Sequence, residues 1–221
     1  MPFKNRAEAG RQLAAALAAY EGQRSVVLAL PRGGVPVADQ IATALEAPLD
    51  LILVRKIGVP SQPELAMGAV VDGAAPLTVR NDDVIRMCGI SEAEFAEERD
   101  SQLAEIDRRR AAYLGDRPRA EIAGRVAIVV DDGIATGATT RAALEATRQR
   151  RPSRLVLAVP VAPTDTLATL RAFADEIVCL EQHALFGAIG VYYADFRQVL
   201  DGEVIDLLAR HPPAAARKAA H

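Results

Sequence analysis

The sequence predicts an α/β fold, a doubly wound and mainly parallel sheet with helices on both faces. Three observations predict it. Short, continuous apolar runs at 26–30, 51–54, 127–130, 155–160 and 177–180 have the length and unbroken hydrophobicity of strands buried on both faces. Segments with helical spacing alternate with them, which is the pattern of a covered parallel sheet. The polar motifs with chemical potential all follow the carboxyl ends of these runs, where open α/β sheets bind ligands.

The elements follow in order. Leu13, Leu17 and Tyr20 form an i, i+4, i+7 stripe, so 6–20 reads as an amphipathic helix. After the strand at 26–30, Pro36 stands in the first turn of a helix carrying Val37, Ile41 and Leu45. The second strand is 51–54. A loop at 58–63 precedes a hairpin through 68–72 and 77–80. Ser91 and Glu94 have capping-box spacing before a long charged helix reaching about Leu114, with Phe95, Leu103, Ile106 and Tyr113 on its apolar side. Arg117-Pro118-Arg119 ends it. The strand at 127–130 comes next, then a helix to about Arg150, a strand at 155–160, a helix from Thr164 and a strand at 177–180.

The 221 residues suit one domain with a sizeable core. A net charge of -3 gives no global field favouring nucleic acid or an anionic membrane. Residues 1–20 carry Lys4, Arg6, Glu8 and Arg11, so they read neither as a signal peptide nor as a membrane span. Cys88 and Cys179 lie far apart without metal spacing and read as reduced thiols of a cytoplasmic protein; His183, His211 and His221 make no zinc pattern.

The most informative segment is Ala127-Ile128-Val129-Val130-Asp131-Asp132-Gly133-Ile134-Ala135-Thr136-Gly137-Ala138-Thr139-Thr140. A buried strand ends in two carboxylates, and a small-residue loop opens a helix. Little side-chain bulk at Ala135, Gly137 and Ala138 lets backbone N–H groups approach an anion, and the helix dipole adds to this. Thr136, Thr139 and Thr140 add hydroxyl donors. Asp131 and Asp132, one short turn away, can accept hydrogen bonds from vicinal hydroxyls. Phosphate donors beside diol acceptors describe a ribose 5-phosphate. No Gly-Lys-Ser/Thr follows the glycine, which excludes a Walker A loop.

Three more segments sit at strand ends. Leu30-Pro31-Arg32-Gly33-Gly34 combines backbone freedom with a guanidinium fork suited to phosphate oxygens. Arg55 and Lys56 place two cations after the second strand. Residues 186–196 hold four of the chain's nine aromatics, and Phe186, Tyr192 and Tyr193 are candidates to stack on a flat heterocycle. As ordinary structure, these would be a tight turn, a solvated basic turn and a small apolar cluster.

The run at 127–140 resembles the phosphoribosyl-pyrophosphate (PRPP) signature of the type I phosphoribosyltransferases: apolar strand, two acids, a short linker, then Thr-Gly-x-Thr. The resemblance covers about 22–182 and is nearest to bacterial phosphoribosyltransferases without an assigned acceptor. It implies a core at 22–182, a hood over 183–210 that the N-terminal helix can join, and an inserted lid and long helix over 57–116. These make a single domain over 1–210, with a mobile lid loop and a disordered tail at 211–221. It implies transfer of 5-phosphoribosyl from PRPP to a nitrogenous base with release of pyrophosphate. Asp131 and Asp132 would be the catalytic carboxylates and would face the Mg2+ ion through its water shell. Arg32, Gly33 and Gly34 would take the pyrophosphate with Arg55 and Lys56. Ala135, Thr136, Gly137, Ala138, Thr139 and Thr140 would hold the 5-phosphate, and Phe186 and Tyr192 the base. Hypoxanthine–guanine enzymes usually carry Asp where this chain has Ala135, which argues against a 6-oxopurine acceptor. Partners implied are PRPP and a small base, without nucleic acid or membrane, in a chain that can form a homodimer.

The competing expectation is a PRPP-binding regulator or sensor with little turnover. It would need a nucleic-acid surface. The one basic cluster, Arg148, Arg150, Arg151 and Arg154, reads instead as favourable charge at a helix C-terminus.

Overall fold

The computed structural model describes residues 2–73 and 76–213. Its main sheet has five parallel strands: β1 (Ser25–Ala29), β2 (Leu49–Leu51), β6 (Val126–Val130), β7 (Arg154–Pro163) and β8 (Glu176–His183), in the order β2-β1-β6-β7-β8. Alternate residues feed opposite faces, as the period of two requires. Val27, Ala29, Ile128, Val130, Val156 and Ala158 join the core under α1 (Arg6–Ala16), α2 (Gly34–Ala44) and α7 (Asp201–Ala209). Val26, Leu28, Ala127, Val129, Leu155 and Leu157 join the core under α5 (Ala138–Gln149) and α6 (Thr164–Leu170).

The strand order fixes where a ligand can sit. From β1 the chain moves outward one way, through α2 to β2. From β6 it moves the other way, through α5, β7 and α6 to β8. Right-handed crossovers in opposite directions put their helices on opposite faces, so a crevice opens between the carboxyl ends of β1 and β6. The loops at 30–34 and 131–137 meet there.

A second sheet is antiparallel: β3 (Val54–Val59), β4 (Gln62–Val71) and β5 (Leu77–Arg80). This corrects two expectations. Residues 58–63 are not a free loop, since Gly58 and Val59 pair with Ala66 and Gln62 across a tight turn. Arg55 and Lys56 do not end a parallel strand; they lie within β3, paired with Val70 and Ala69. The apolar run at 51–54 is divided between two sheets, which its composition could not show. The expected hairpin is present, with Gly68 opposite Arg80 and Val71 opposite Leu77.

Helix α4 (Glu92–Leu114) begins with the expected Ser91/Glu94 capping box and buries Phe95, Ile106, Tyr113 and Leu114. The short helix α3 (Asp82–Met87), capped by the Asn81 side chain, and α7 were not expected. The first helix stops at Ala16, and a 3₁₀ turn carries Tyr20 into the core. His211, expected in a disordered tail, is buried at 8% exposure and bonds Asp39 at 3.0 Å; 214–221 lie outside the described residues. No helix among the described residues is long and apolar enough to cross a membrane.

Candidate functional site at the carboxyl ends of β1 and β6

Strand β6 delivers Asp131 half-buried and Asp132 buried. The Asp132 N–H donates to Asp131 Oδ1 at 2.9 Å. Burial, and then the adjacent Asp132 charge, push the Asp131 carboxyl well above the usual carboxylate range, while the Arg6 charge opposes them. Arg6 Nε donates to Asp132 Oδ2 at 2.7 Å, with both side chains 11% exposed. Tyr193 Oη donates to the Asp132 carbonyl at 2.6 Å, and burial raises its own pKa, which keeps it a donor.

The loop that follows has the geometry of an anion cradle. Gly137 takes φ +77°, a conformation that L side chains rarely adopt, and a Cβ there would lie 2.7 Å from Thr166 Cγ2. Helix α5 then starts at Ala138 without a side-chain cap, so its first N–H groups point outward without intrahelical partners. Ala135, Thr136, Ala138 and Thr139 are exposed, whereas Thr140 is only 2% exposed. The structure thus brings the cradle backbone and two hydroxyls to the surface and sends Thr140 inward.

The glycines of the β1 loop are required by the acids. A Cβ at Gly33 would lie 2.0 Å from Asp132 Oδ2, and one at Gly34 would lie 2.7 Å from the Val130 carbonyl oxygen. Gly33 and Gly34 therefore let the two loops of the crevice touch. The peptide bond between Pro31 and Arg32 is cis. The Arg32 guanidinium reaches Asp201 at 3.3 Å, in a pair more than a third exposed.

The other expected residues lie apart. Arg55 bonds Gln102 at 2.9 Å and Lys56 bonds Glu64 at 3.1 Å, in a cavity of about 400 Å³ between the ribbon and α4. A larger cavity, about 750 Å³, opens beside the cradle and is lined by Thr136, Gly137, Ala138, Arg80, Arg141 and Thr166, among others. Neither cavity takes in Asp131, Asp132 or Arg32.

The aromatic window divides. Phe186 stacks on Tyr192 with centroids 5.0 Å apart, and His183 packs on the same ring at 4.6 Å. Tyr193 and Phe196 turn inward with Phe3. The acid loop meets this region through Tyr193 and through Ile189, whose side chain fills the space that a Cβ on Gly133 would need. Arg6 was missed by sequence reasoning, and nothing in its local pattern signals a partner 126 residues away. Among the described residues no group of three or more His, Cys, Asp or Glu could hold a metal by itself. Arg148 pairs with Asp175, Arg154 with Glu176, and Arg150 donates to the Ala120 carbonyl, so these cations of the basic cluster are engaged internally.

Comparison with known proteins agrees with this geometry. The family model of the phosphoribosyl transferase domain matches residues 3–196. Two Mycobacterium tuberculosis proteins, from strains CDC 1551 and H37Rv, both named "Putative phosphoribosyl transferase", are each 48% identical over 208 residues, 94% of this chain and 46% of theirs. The chain thus spans about half the length of these curated relatives. The crystal structure of TT1426 from Thermus thermophilus is 41% identical, with a TM-score of 0.77 over 96% of this chain and 100% of that one. The parallel sheet, the acid-ended β6 and the family match over 3–196 agree: the chain belongs to the type I phosphoribosyltransferase family.

Proposed function

We propose that the protein binds PRPP with magnesium and transfers the 5-phosphoribosyl group to a nitrogenous base, releasing pyrophosphate. The observation that carries this reading is the junction of cradle and acids. An uncapped helix N-terminus behind a positive-φ glycine lies one short loop from a carboxylate that burial has made costly to ionise. A ribose 5-phosphate satisfies both at once.

The donor chemistry fits magnesium. Carboxylate oxygens are hard ligands, the type that magnesium and its bound waters prefer. Asp131 would face its water shell. When bound, magnesium would offset charge on the departing pyrophosphate.

The chain's own groups supply the rest. The N–H groups of 137–140, with Thr136 and Thr139, hold the 5-phosphate. Asp131 accepts from the ribose hydroxyls and offsets the positive charge that grows on the sugar as the bond to pyrophosphate breaks. Arg32 is held by an exposed ion pair to Asp201; such a pair is worth about 0–1 kcal/mol and exchanges readily for phosphate oxygens. Arg55 and Lys56 line a separate cavity beside α4 and are not assigned to this leaving group. The Phe186–Tyr192 stack supplies a flat face for the base. The single domain over 1–210, with a hood over 183–210, is part of the same reading. The test is pyrophosphate release on mixing the protein with magnesium, PRPP and a panel of bases. PRPP binding without release for any base would support the sensor reading instead.

A further inference from the structure

We propose that Arg6 is a positioning residue for sugar binding: it divides the acid pair so that Asp132 anchors the aromatic segment over the site and Asp131 alone faces the ribose. The proposal rests on the phosphoribosyl reading of the site. Arg6 ties together three parts of the crevice. Its Nε bonds Asp132 Oδ2, its Nη1 donates to the Arg197 carbonyl at 2.8 Å, and its guanidinium lies 3.8 Å from the Phe196 ring centroid. The helix that carries it starts at Arg6, capped by the Asn5 side chain, and Phe3 pairs with Tyr193 just before it.

Asp132 is thereby engaged at its Oδ2, its carbonyl and its N–H. Its carboxylate takes the Arg6 charge and fills the space that a Cβ on Gly33 would need, its carbonyl accepts from Tyr193, and its N–H donates to Asp131. A carboxylate held this way has little room to turn to a sugar. Asp131 pairs with no cation among the described residues and is the more exposed of the two. Two neighbouring acids thus divide the work: one holds the aromatic segment through Arg6, and the other meets the ligand. A guanidinium suits this role better than an ammonium, because it forms directed bonds at two nitrogens while stacking on a ring.

The experiment uses the whole chain and two probes, ribose 5-phosphate and inorganic phosphate, titrated calorimetrically with magnesium present. The variants are R6Q, R6K, D132N and the R6Q/D132N pair, with melting followed in parallel. Inorganic phosphate meets only the cradle, so its affinity should be unchanged throughout. Ribose 5-phosphate affinity should fall about tenfold in R6Q, the scale of one hydrogen bond to a charged group. D132N should give a similar loss, and the double variant should be no worse than the weaker single, because Arg6 acts through Asp132. R6K should recover part of the loss by restoring the charge, and keeps the test open should R6Q fold poorly. A lower Tm in R6Q with unchanged preference for the sugar phosphate, or losses that multiply in the double variant, would overturn the role of Arg6 alone. A wild-type protein that binds inorganic phosphate as well as ribose 5-phosphate would overturn both this proposal and the sugar site beneath it.

Discussion

Replacing Gly33 with alanine puts a methyl carbon where Asp132 already stands. The added Cβ would lie 2.0 Å from Asp132 Oδ2 and 2.5 Å from its Cγ, far inside contact distance. Asp132 must then rotate away and give up Arg6, 2.7 Å distant and equally buried. Separating such a pair costs about 3–5 kcal/mol, because each charge is left desolvated and unpartnered. At this size each kcal/mol lowers Tm by about 2–4 °C, so even the lower figure predicts a fall of about 6–12 °C. Gly22→Ala is the control. Gly22 also has positive φ, +72°, but nothing stands within 4 Å of its added Cβ, so only backbone strain of about 1–2 kcal/mol applies. Differential scanning calorimetry of the two variants, and of Gly33→Ala in an Asp132→Ala background, separates collision from strain. In that background the alanine at 33 should cost little more than the Asp132 change itself. A Gly33→Ala variant that melts within a degree of wild type, or an effect that persists undiminished without the Asp132 carboxylate, would refute the account of why this loop is glycine.

Other predictions follow from the same geometry. Asp131→Asn should cut turnover about 10²–10³-fold, the scale of a single electrostatic stabiliser, while the chain stays folded; a fully active variant would remove Asp131 from the chemistry. The same variant should be more stable than wild type at neutral pH. A folded-state pKa raised above the unfolded value makes ionisation of Asp131 a cost to the fold, absent below the unfolded pKa and complete above the folded one. Melting scans should therefore show Asp131→Asn ahead of wild type at pH 8, with the gap closing as pH falls toward 4; a gap that widens on acidification contradicts the assignment. Gly137→Val should lose ribose 5-phosphate binding far more than Thr139→Val, since it forces a β-branched side chain into positive φ and against Thr166; the reverse ranking would mean that side chains, not the backbone cradle, hold the phosphate. PRPP should bind only weakly in excess chelator, because its clustered charge needs a counter-cation, and calorimetry giving equal affinity with and without magnesium would remove the metal.

Some of this was decided by local sequence. Strands buried on both faces must be apolar throughout, so β1, β6 and β7 announce themselves, whereas the edge strand β8 is only half-buried and shows a shorter apolar run; β6 with its acids and glycine-bearing loop could be placed without a fold. The capping box of α4 likewise depends only on residues three apart. Tertiary structure alone decided the rest, because the interactions concerned join residues remote in the chain. The run at 51–54 is uniformly apolar, yet hydrogen bonding to different neighbours assigns Leu51 to the parallel sheet and Val54 to the ribbon, which carries Arg55 and Lys56 to a different cavity. Gly33 and Gly34 could be suspected of serving a ligand, but only their contact with Asp132 and Val130 shows what a side chain would strike. Arg6 looked like one more charge on an amphipathic helix. Its partner is fixed by the sheet order, which brings the N-terminal helix and the segment at 189–197 over the end of β6, and local periodicity carries no information about a pairing of that range.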